Sequence, residues 1–298
     1  MPYASRPYAA DSGPNDNVTA RNFMVLNVGF ARTTHHWGYT DHSSPFLRII
    51  YIAEGTATLH MPSADYICRP GHMYLVPSFV PHSYDCEPGV GFYYLFLFER
   101  FREKTDIFDE REFPVETRAN GAADLLFRNF CQLYPNLSLP YKDAAAFDAH
   151  KSYKQYAESY ASLEPYEHLQ LQGLVWIIFS YFMKHSQPKL EVADERVMRI
   201  ASFVQQHLAD EITTDQLADI GCVSKPHLNR LFNKAFGVSP LQYIIRKKIQ
   251  HAQQLLLTTG ASVQQVAHAV GFADPSYFIR LFKKNIGFTP QDYRVKLK

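Results

Sequence analysis

The strongest constraint on this 298-residue chain is that it contains nearly the same phrase twice, "RLFNKAFGVSP" from Arg230 to Pro240 and "RLFKKNIGFTP" from Arg280 to Pro290. At an offset of fifty, Arg230 pairs with Arg280, Phe232 with Phe282, Lys234 with Lys284, Gly237 with Gly287 and Tyr243 with Tyr293. Upstream the offset becomes forty-nine, matching Leu217 and Ala218 with Val266 and Ala267, so the second copy carries one extra residue. A fixed-offset repeat of this kind is one supersecondary unit used twice.

Each copy reads as helix, turn, helix. Ala218 and Ala267 are small enough for two helices to cross closely, and "IGCVS" and "VGFAD" supply compact turns with Gly221 and Gly271. The second helix of each copy has anchors at i, i+3 and i+4: Leu228, Leu231 and Phe232, then Phe278, Leu281 and Phe282. Ser224 and Asp274 stand where an N-cap belongs, and Pro226 and Pro275 follow within the first turn, where a missing N–H does no harm. Gly237 and Gly287 are placed to end these helices.

With the anchors turned inward, the outward residues are Lys225, Pro226, His227, Asn229 and Arg230 in one copy, and Pro275, Ser276, Tyr277, Ile279 and Arg280 in the other. Arginine pairs with guanine and asparagine with adenine in the major groove, so Arg230 and Arg280 lead as base readers. Lys234, Lys283 and Lys284, further along, suit phosphates. Between the copies, "PLQYIIRKKIQHAQQLLLTT" reads as one helix of about 27 Å, enough to hold two reading helices roughly one DNA turn apart. The charge agrees. The whole chain is only +1, but residues 221–298 hold twelve Lys/Arg against Asp274 and Asp292, which gives +10 there and leaves −9 for the rest. A compact basic segment is the footprint of a phosphate-backbone binder, with a solvated charged face as the alternative.

Residues 194–298 resemble the DNA-binding domain of the AraC/XylS family of bacterial transcription regulators. The likeness is carried by "SKPHLNRLFNKAFGVSPLQYIIRKKIQHAQQLL" and "SVQQVAHAVGFADPSYFIRLFKKNIGFTPQDYR". It implies double-stranded operator DNA as partner, base-facing positions at Asn229, Arg230, Ser276 and Arg280, and an activator that meets RNA polymerase in the bacterial cytoplasm. It also implies a homodimer formed through the middle helices near Glu164 to Lys184, and an N-terminal arm closing over a ligand pocket. Pro226 departs from the pattern, standing where some members place a large or polar reader.

The first part of the chain is different. From Asn22 to Glu99, six short β-rich runs ("FMVLNVGF", "FLRIIYIAEG", "TATLHM", "YICRPG", "MYLVPS", "GVGFYYLFLF") predict an antiparallel sandwich or barrel. Helical patterns follow, notably "EPYEHLQLQGLVWIIFSYFMKH". There Leu169, Gly173, Trp176, Phe179 or Ser180, and Met183 recur at helical spacing, as a face packed on the barrel with part left for a dimer contact. The expected class is therefore α+β multidomain. Its parts are a flexible arm (1–20), a cupin-like ligand-binding barrel (21–100), a helical dimerisation region (101–185), a linker (186–193) and an all-α tandem helix-turn-helix domain (194–298).

"RPGHMYLVPSFVPHSY" resembles the second motif of a cupin barrel, and "IIYIAEGTATL" the end of the first. That resemblance places the metal-ligand slots at His42, Ser44, Arg48 and His82. A cation in the carboxylate slot repels Fe, Mn or Zn, so neither a metal nor another cofactor is expected. The same residues suit a polar organic guest. Arg48 and His82 are its hydrogen-bonding groups, Trp37, Tyr39, Tyr84 and Tyr93 are stacking walls, and a sugar or sugar derivative fits. The histidines of "THHWGYTDH" (His35, His36, His42) lack ligand spacing.

Two rival readings stand beside the regulator: a cupin-type enzyme with an appended nucleic-acid domain, and a DNA-repair methyltransferase. The latter needs a reactive cysteine in an active-site motif, which "YICRP", "YDCEP" and "NFCQL" do not supply. Four scattered cysteines suggest no disulfide framework and fit a reducing cytoplasm, and no apolar run approaches membrane-span length.

Overall fold

The computed structural model describes residues 22–99, 106–119, 121–139, 153–189 and 194–296. The expected arm, and residues 190–193 of the expected linker, lie outside the described residues. The protein is α+β, with a β-rich cupin-like N-terminal domain and an all-helical C-terminal one.

The strands run β1 (Phe23–Arg32), β2 (Trp37–His42), β3 (Leu47–Glu54), β4 (Ala57–His60), β5 (Asp65–Cys68), β6 (His72–Val76), β7 (His82–Cys86) and β8 (Gly91–Glu99). Then come a short helix α1 (Ile107–Glu110), β9 (Arg111–Glu112) and β10 (Glu116–Arg118). Next are α2 (Ala122–Leu133), α3 (Tyr153–Ala161), α4 (Pro165–Met183) and β11 (Gln187–Pro188). One antiparallel sheet has the order β1-β8-β3-β6-β10, a second has β2-β7-β4-β5, and β9 pairs with β11. The strands β2 and β7 are absent from the sequence reading because "WGYTDH" and "HSYDC" carry too many polar residues to register as apolar runs.

Register decides which side chains meet. On β3, Arg48 stands opposite Phe96 and Val76, while Tyr51 stands opposite Tyr93 and Met73. Side chains alternate across a strand, so Arg48, Ile50 and Ile52 share the inner face with Phe92 and Phe96. Ile49, Tyr51, Tyr93 and Leu95 face outward, under Phe127 and Phe130 of α2 and Val175, Ile178, Phe179 and Phe182 of α4. Both faces of β8 are therefore covered, and all nine of its residues are buried.

The buried face of α4 is Leu171, Val175, Ile178, Phe179 and Phe182, not the stripe that begins at Leu169, which is 76% exposed. The second half of this helix is apolar on all sides, so spacing alone selects no face.

The C-terminal domain comprises α5 (Glu195–Gln206), α6 (Thr214–Gly221), α7 (Lys225–Phe236), α8 (Pro240–Thr258), α9 (Val263–Ala269), α10 (Pro275–Ile286) and α11 (Pro290–Lys296). The repeat reaches further upstream than the matched words. Thr213 and Gln216 form a capping box on α6, and Ser262 and Gln265, forty-nine residues later, form one on α9. The turns correct one assignment. Gly221 is the last helical residue of α6, and the left-handed position belongs to Cys222 (φ 51°), which corresponds to Gly271 (φ 73°). Val223 N donates to Ala218 O just as Phe272 N donates to Ala267 O, so the extra residue of copy two is Ala273. Gly221 has a different role: it packs on Ile200, whose terminal methyl would lie 2.7 Å from a Cβ at this position and would have to shift.

The shared helix α8 belongs to two cores. Tyr243 and Ile244 pack with Leu217, Leu228 and Phe232, whereas Ile249, Ala252 and Leu256 pack with Val266, Phe278 and Phe282.

Candidate nucleic-acid interface and effector cavity

Burial of Leu228 and Phe232 in α7, and of Phe278 and Phe282 in α10, turns the remaining faces outward. Lys225, Asn229, Arg230 and Lys234 are exposed, and His227 is half-buried; Ser276, Tyr277, Arg280, Lys283 and Lys284 are all exposed. The structure thus gathers each set on one open helix face, with α8 between them at 19 residues, roughly 28 Å.

The two helices begin and are engaged differently. Ser224 holds the N-cap position of α7 without a side-chain cap bond, whereas the Asp274 carboxylate accepts from Ser276 N at 2.8 Å. In copy one, Lys225 Nζ lies 2.6 Å from Asp215 Oδ1 on α6, Asn229 Nδ2 donates to Lys225 O at 3.2 Å, and Arg230 Nη2 lies 3.2 Å from His227 Nδ1. In copy two, Arg280, Lys283 and Lys284 have no ion pair among the described residues.

Two lysines counted with the basic segment do not face solvent at all. Lys247 and Lys248 are 2% and 5% exposed. Lys247 Nζ sits 2.7 Å from Asp109 Oδ2 and 3.1 Å from Asp106 Oδ2, and the Tyr243 hydroxyl donates to Asp109 Oδ2 at 2.9 Å. Asp106 and Asp109 come from the N-cap and body of α1, which follows the barrel, so this cluster fastens the two domains together. Burial opposes the charges of Asp106 and Lys247. Their mutual attraction prevails, holding the Asp106 carboxyl below its ordinary range and the Lys247 ammonium above its own. Burial, then the Asp109 charge, raises the Tyr243 phenol well above its usual value.

Lys248 acts within the DNA-binding domain. Its Nζ donates to Asp210 O at 2.7 Å and Gly271 O at 3.0 Å, tying the loop after α5 to the turn of copy two. An apolar joint lies alongside: Tyr153 of α3 packs 5.5 Å from Phe46 of the barrel, and α3 packs on α8.

Inside the barrel, a cavity of about 500 Å³, its open mouth included, is lined by Trp37, Arg48, Tyr84 and Phe96 with Ile50, Ile52, Val90 and Phe92. Trp37 and Tyr84 stack at 6.1 Å with 16° between planes, and His82 meets Tyr84 edge-on at 5.3 Å. Arg48 is 8% exposed; its Nε donates to Ser44 Oγ at 3.3 Å, and its guanidinium lies 5.2 Å and 5.0 Å from the Phe46 and Phe96 ring centres. His82 Nδ1 donates to Val80 O at 2.9 Å, which leaves Nε2 as the acceptor of a neutral ring. Burial, then the Arg48 charge, brings its pKa down to about 4. Burial pushes the Tyr84 phenol up to about 12.

Of the sequence-derived cavity residues, Trp37, Arg48, His82 and Tyr84 come together, and the side chains of Tyr39 and His42 lie outside the described residues. Tyr93 does not reach the cavity. Its register with Tyr51 places it on the other face of the sheet, stacked on Phe127 at 5.5 Å. The wall residues that sequence reasoning missed, Ile50, Ile52, Phe92 and Phe96, share strand parity with Arg48 or pair with it, a signal that becomes readable once register is known. Among the described residues, no group of three His, Cys, Asp or Glu side chains is arranged to hold a metal ion. Burial raises the Cys68 and Cys86 thiols to about 12 and Cys131 to about 11, far from the thiolate a nucleophile needs.

Comparison with known proteins agrees with both halves of this geometry. Residues 27–148 match the AraC-like ligand binding domain, and residues 217–296 match a helix-turn-helix domain. The lactose operon transcription activator of Staphylococcus xylosus is 27% identical over 124 residues, which is 42% of this chain and 44% of that protein. The HTH-type transcriptional activator RhaS of Escherichia coli is 32% identical over 108 residues, 36% of this chain and 39% of that protein. The chain thus spans less than half the length of these curated relatives in its matches to them. A crystal structure of an apo variant of ToxT from Vibrio cholerae shares the fold, with 14% identity, a TM-score of 0.50, and coverage of 93% of this chain and 98% of that one. No helix among the described residues is long and apolar enough to cross a membrane. With an AraC-like ligand-binding domain set ahead of paired helix-turn-helix units, the chain belongs to the AraC/XylS family.

Proposed function

We propose that this protein is a ligand-responsive, sequence-specific transcription regulator, acting as an activator in the bacterial cytoplasm. The observation that carries the reading is the pair of open basic helices on either side of α8, a 19-residue helix roughly 28 Å long, with a cavity-bearing barrel fastened to that same helix. Arg230 and Arg280 read bases, with Asn229, His227, Ser276 and Tyr277 beside them; Lys225, Lys234, Lys283 and Lys284 hold phosphates. A small polar molecule, a sugar or sugar derivative in the reading the lactose-operon relative favours, occupies the barrel between Arg48, His82, Trp37 and Tyr84. It acts by binding one packing of the two domains more tightly than another. Tyr166, Leu169 and Ile177 are 62%, 76% and 53% exposed on α4 and support a homodimer through that helix. RNA polymerase is the further partner of an activator placed this way.

Selection of the full chain against random-sequence duplex DNA tests this reading. Enrichment of two sub-sites one helical turn apart is expected; recovery of DNA without any shared motif overturns it. The enzyme reading requires turnover, and sugar conversion by the purified protein would replace the regulator with it.

A further inference from the structure

We propose that the barrel cavity takes a small organic anion, a carboxylate carried on a flat apolar body, with Arg48 as its counter-ion. This inference rests on the cavity being the effector site, and for the guest it sets an anion in place of the sugar that the lactose-operon relative suggests. Arg48 is more than nine-tenths buried, lines the cavity, and has no carboxylate within ion-pairing distance among the described residues. Its protein contacts are all neutral: the Ser44 hydroxyl, the nearby Tyr84 hydroxyl, and the faces of Phe46 and Phe96. Buried charges in proteins are paired, and a guanidinium matches a carboxylate through two parallel hydrogen bonds. The neighbouring His82 is a neutral ring whose Nδ1–H is spent on Val80 O, so it neither compensates nor doubles the charge.

The remaining walls define the body of the guest. Trp37 and Tyr84 lie nearly parallel, and Ile50, Ile52, Val90 and Phe92 complete an apolar lining. A neutral sugar carries hydroxyls on every edge, and each one buried without a partner is unfavourable. These walls offer few partners. An aryl carboxylate puts its charge on Arg48 and its ring among the aromatic walls, satisfying both halves of the site.

Thermal-shift titration of the full chain tests this with cinnamate and phenylacetate, their amides, and glucose, galactose and arabinose. At millimolar concentration at least one carboxylate is expected to raise Tm by about 2 °C or more while its amide does not. In Arg48→Met the response is expected to vanish while the unliganded Tm stays level or rises, because methionine leaves no unpaired charge inside. An amide equal to its acid, a response retained in Arg48→Met, or an unliganded Arg48→Met Tm lower by about 5 °C or more overturns the proposal. The last result would make Arg48 a structural pillar for Phe46 and Phe96. A shift from a sugar alone, lost in Trp37→Ala, preserves the effector site and sinks the anion. No shift from any probe, with DNA binding intact, removes the effector reading and this inference together.

Discussion

The two helix-turn-helix copies share a scaffold and differ in how much of each is already occupied. In copy one, Lys225 is held by Asp215, Arg230 leans on His227, and the start of α8 is fastened to the barrel through Tyr243 and Lys247. In copy two, Asp274 caps the reading helix firmly, and Arg280, Lys283 and Lys284 stand clear of ion pairs among the described residues. Copy two presents its basic side chains without competing ion pairs among the described residues, while those of copy one have internal partners and its end of α8 is fastened to α1. If the two copies contact DNA as proposed, copy two is expected to be the readier reader and copy one the restrained one.

Five changes test that asymmetry, beginning with the largest. Lys247→Met leaves Asp106 and Asp109 buried without their cation, and urea unfolding is expected to show a loss of about 3–5 kcal/mol. A loss below about 1 kcal/mol would mean that the fastening is incidental. The pH dependence of this cluster has a definite sign. Asp106, held below its usual value, contributes stability above the normal carboxylate range that is lost on acidification; Lys247, held above its own, contributes stability that is lost only in strong alkali. Between those limits the wild-type advantage over Lys247→Met is expected to be flat.

Next, Arg280→Ala is expected to reduce discrimination at one operator position by about 1–3 kcal/mol, with a smaller loss for Arg230→Ala, whose guanidinium has a partner to give up. Competition binding to single-base operator variants measures both, and equal losses would erase the distinction between the copies. Lys283→Ala is expected to weaken binding to every sequence alike and to lower the salt slope by about one. The smallest effect belongs to Asp215→Asn. It frees Lys225 at a stability change under about 1 kcal/mol, since the pair is exposed, and is expected to strengthen copy one's contact with its half-site slightly.

The C-terminal domain was legible because a repeat supplies its own control. Wherever the two copies agree, Leu228 with Phe278 or Gly237 with Gly287, the shared chemistry marks scaffold, and the outward residues follow by subtraction. The error there was local: two glycines were equated although Gly221 packs on Ile200 and the matching turn residue is Cys222. The cavity was half legible. Arg48 and His82 could be placed by motif, but Tyr93 could not, because β8 is covered on both faces and no polar residue marks its parity. The domain fastening was invisible, since Asp109 and Tyr243 lie 134 positions apart and no local pattern announces a partner at that distance. Lys247 and Lys248 were for the same reason counted with the DNA-facing charge.

Lys248 sets a limit on how control can work. Its two hydrogen bonds, to Asp210 O and Gly271 O, tie the loop before copy one to the turn of copy two from inside the DNA-binding domain. The spacing of the two reading helices is then expected to act as a ruler that a guest in the barrel leaves unchanged. What such a guest would alter is whether the ruler is laid on DNA, and from which end, rather than its graduation.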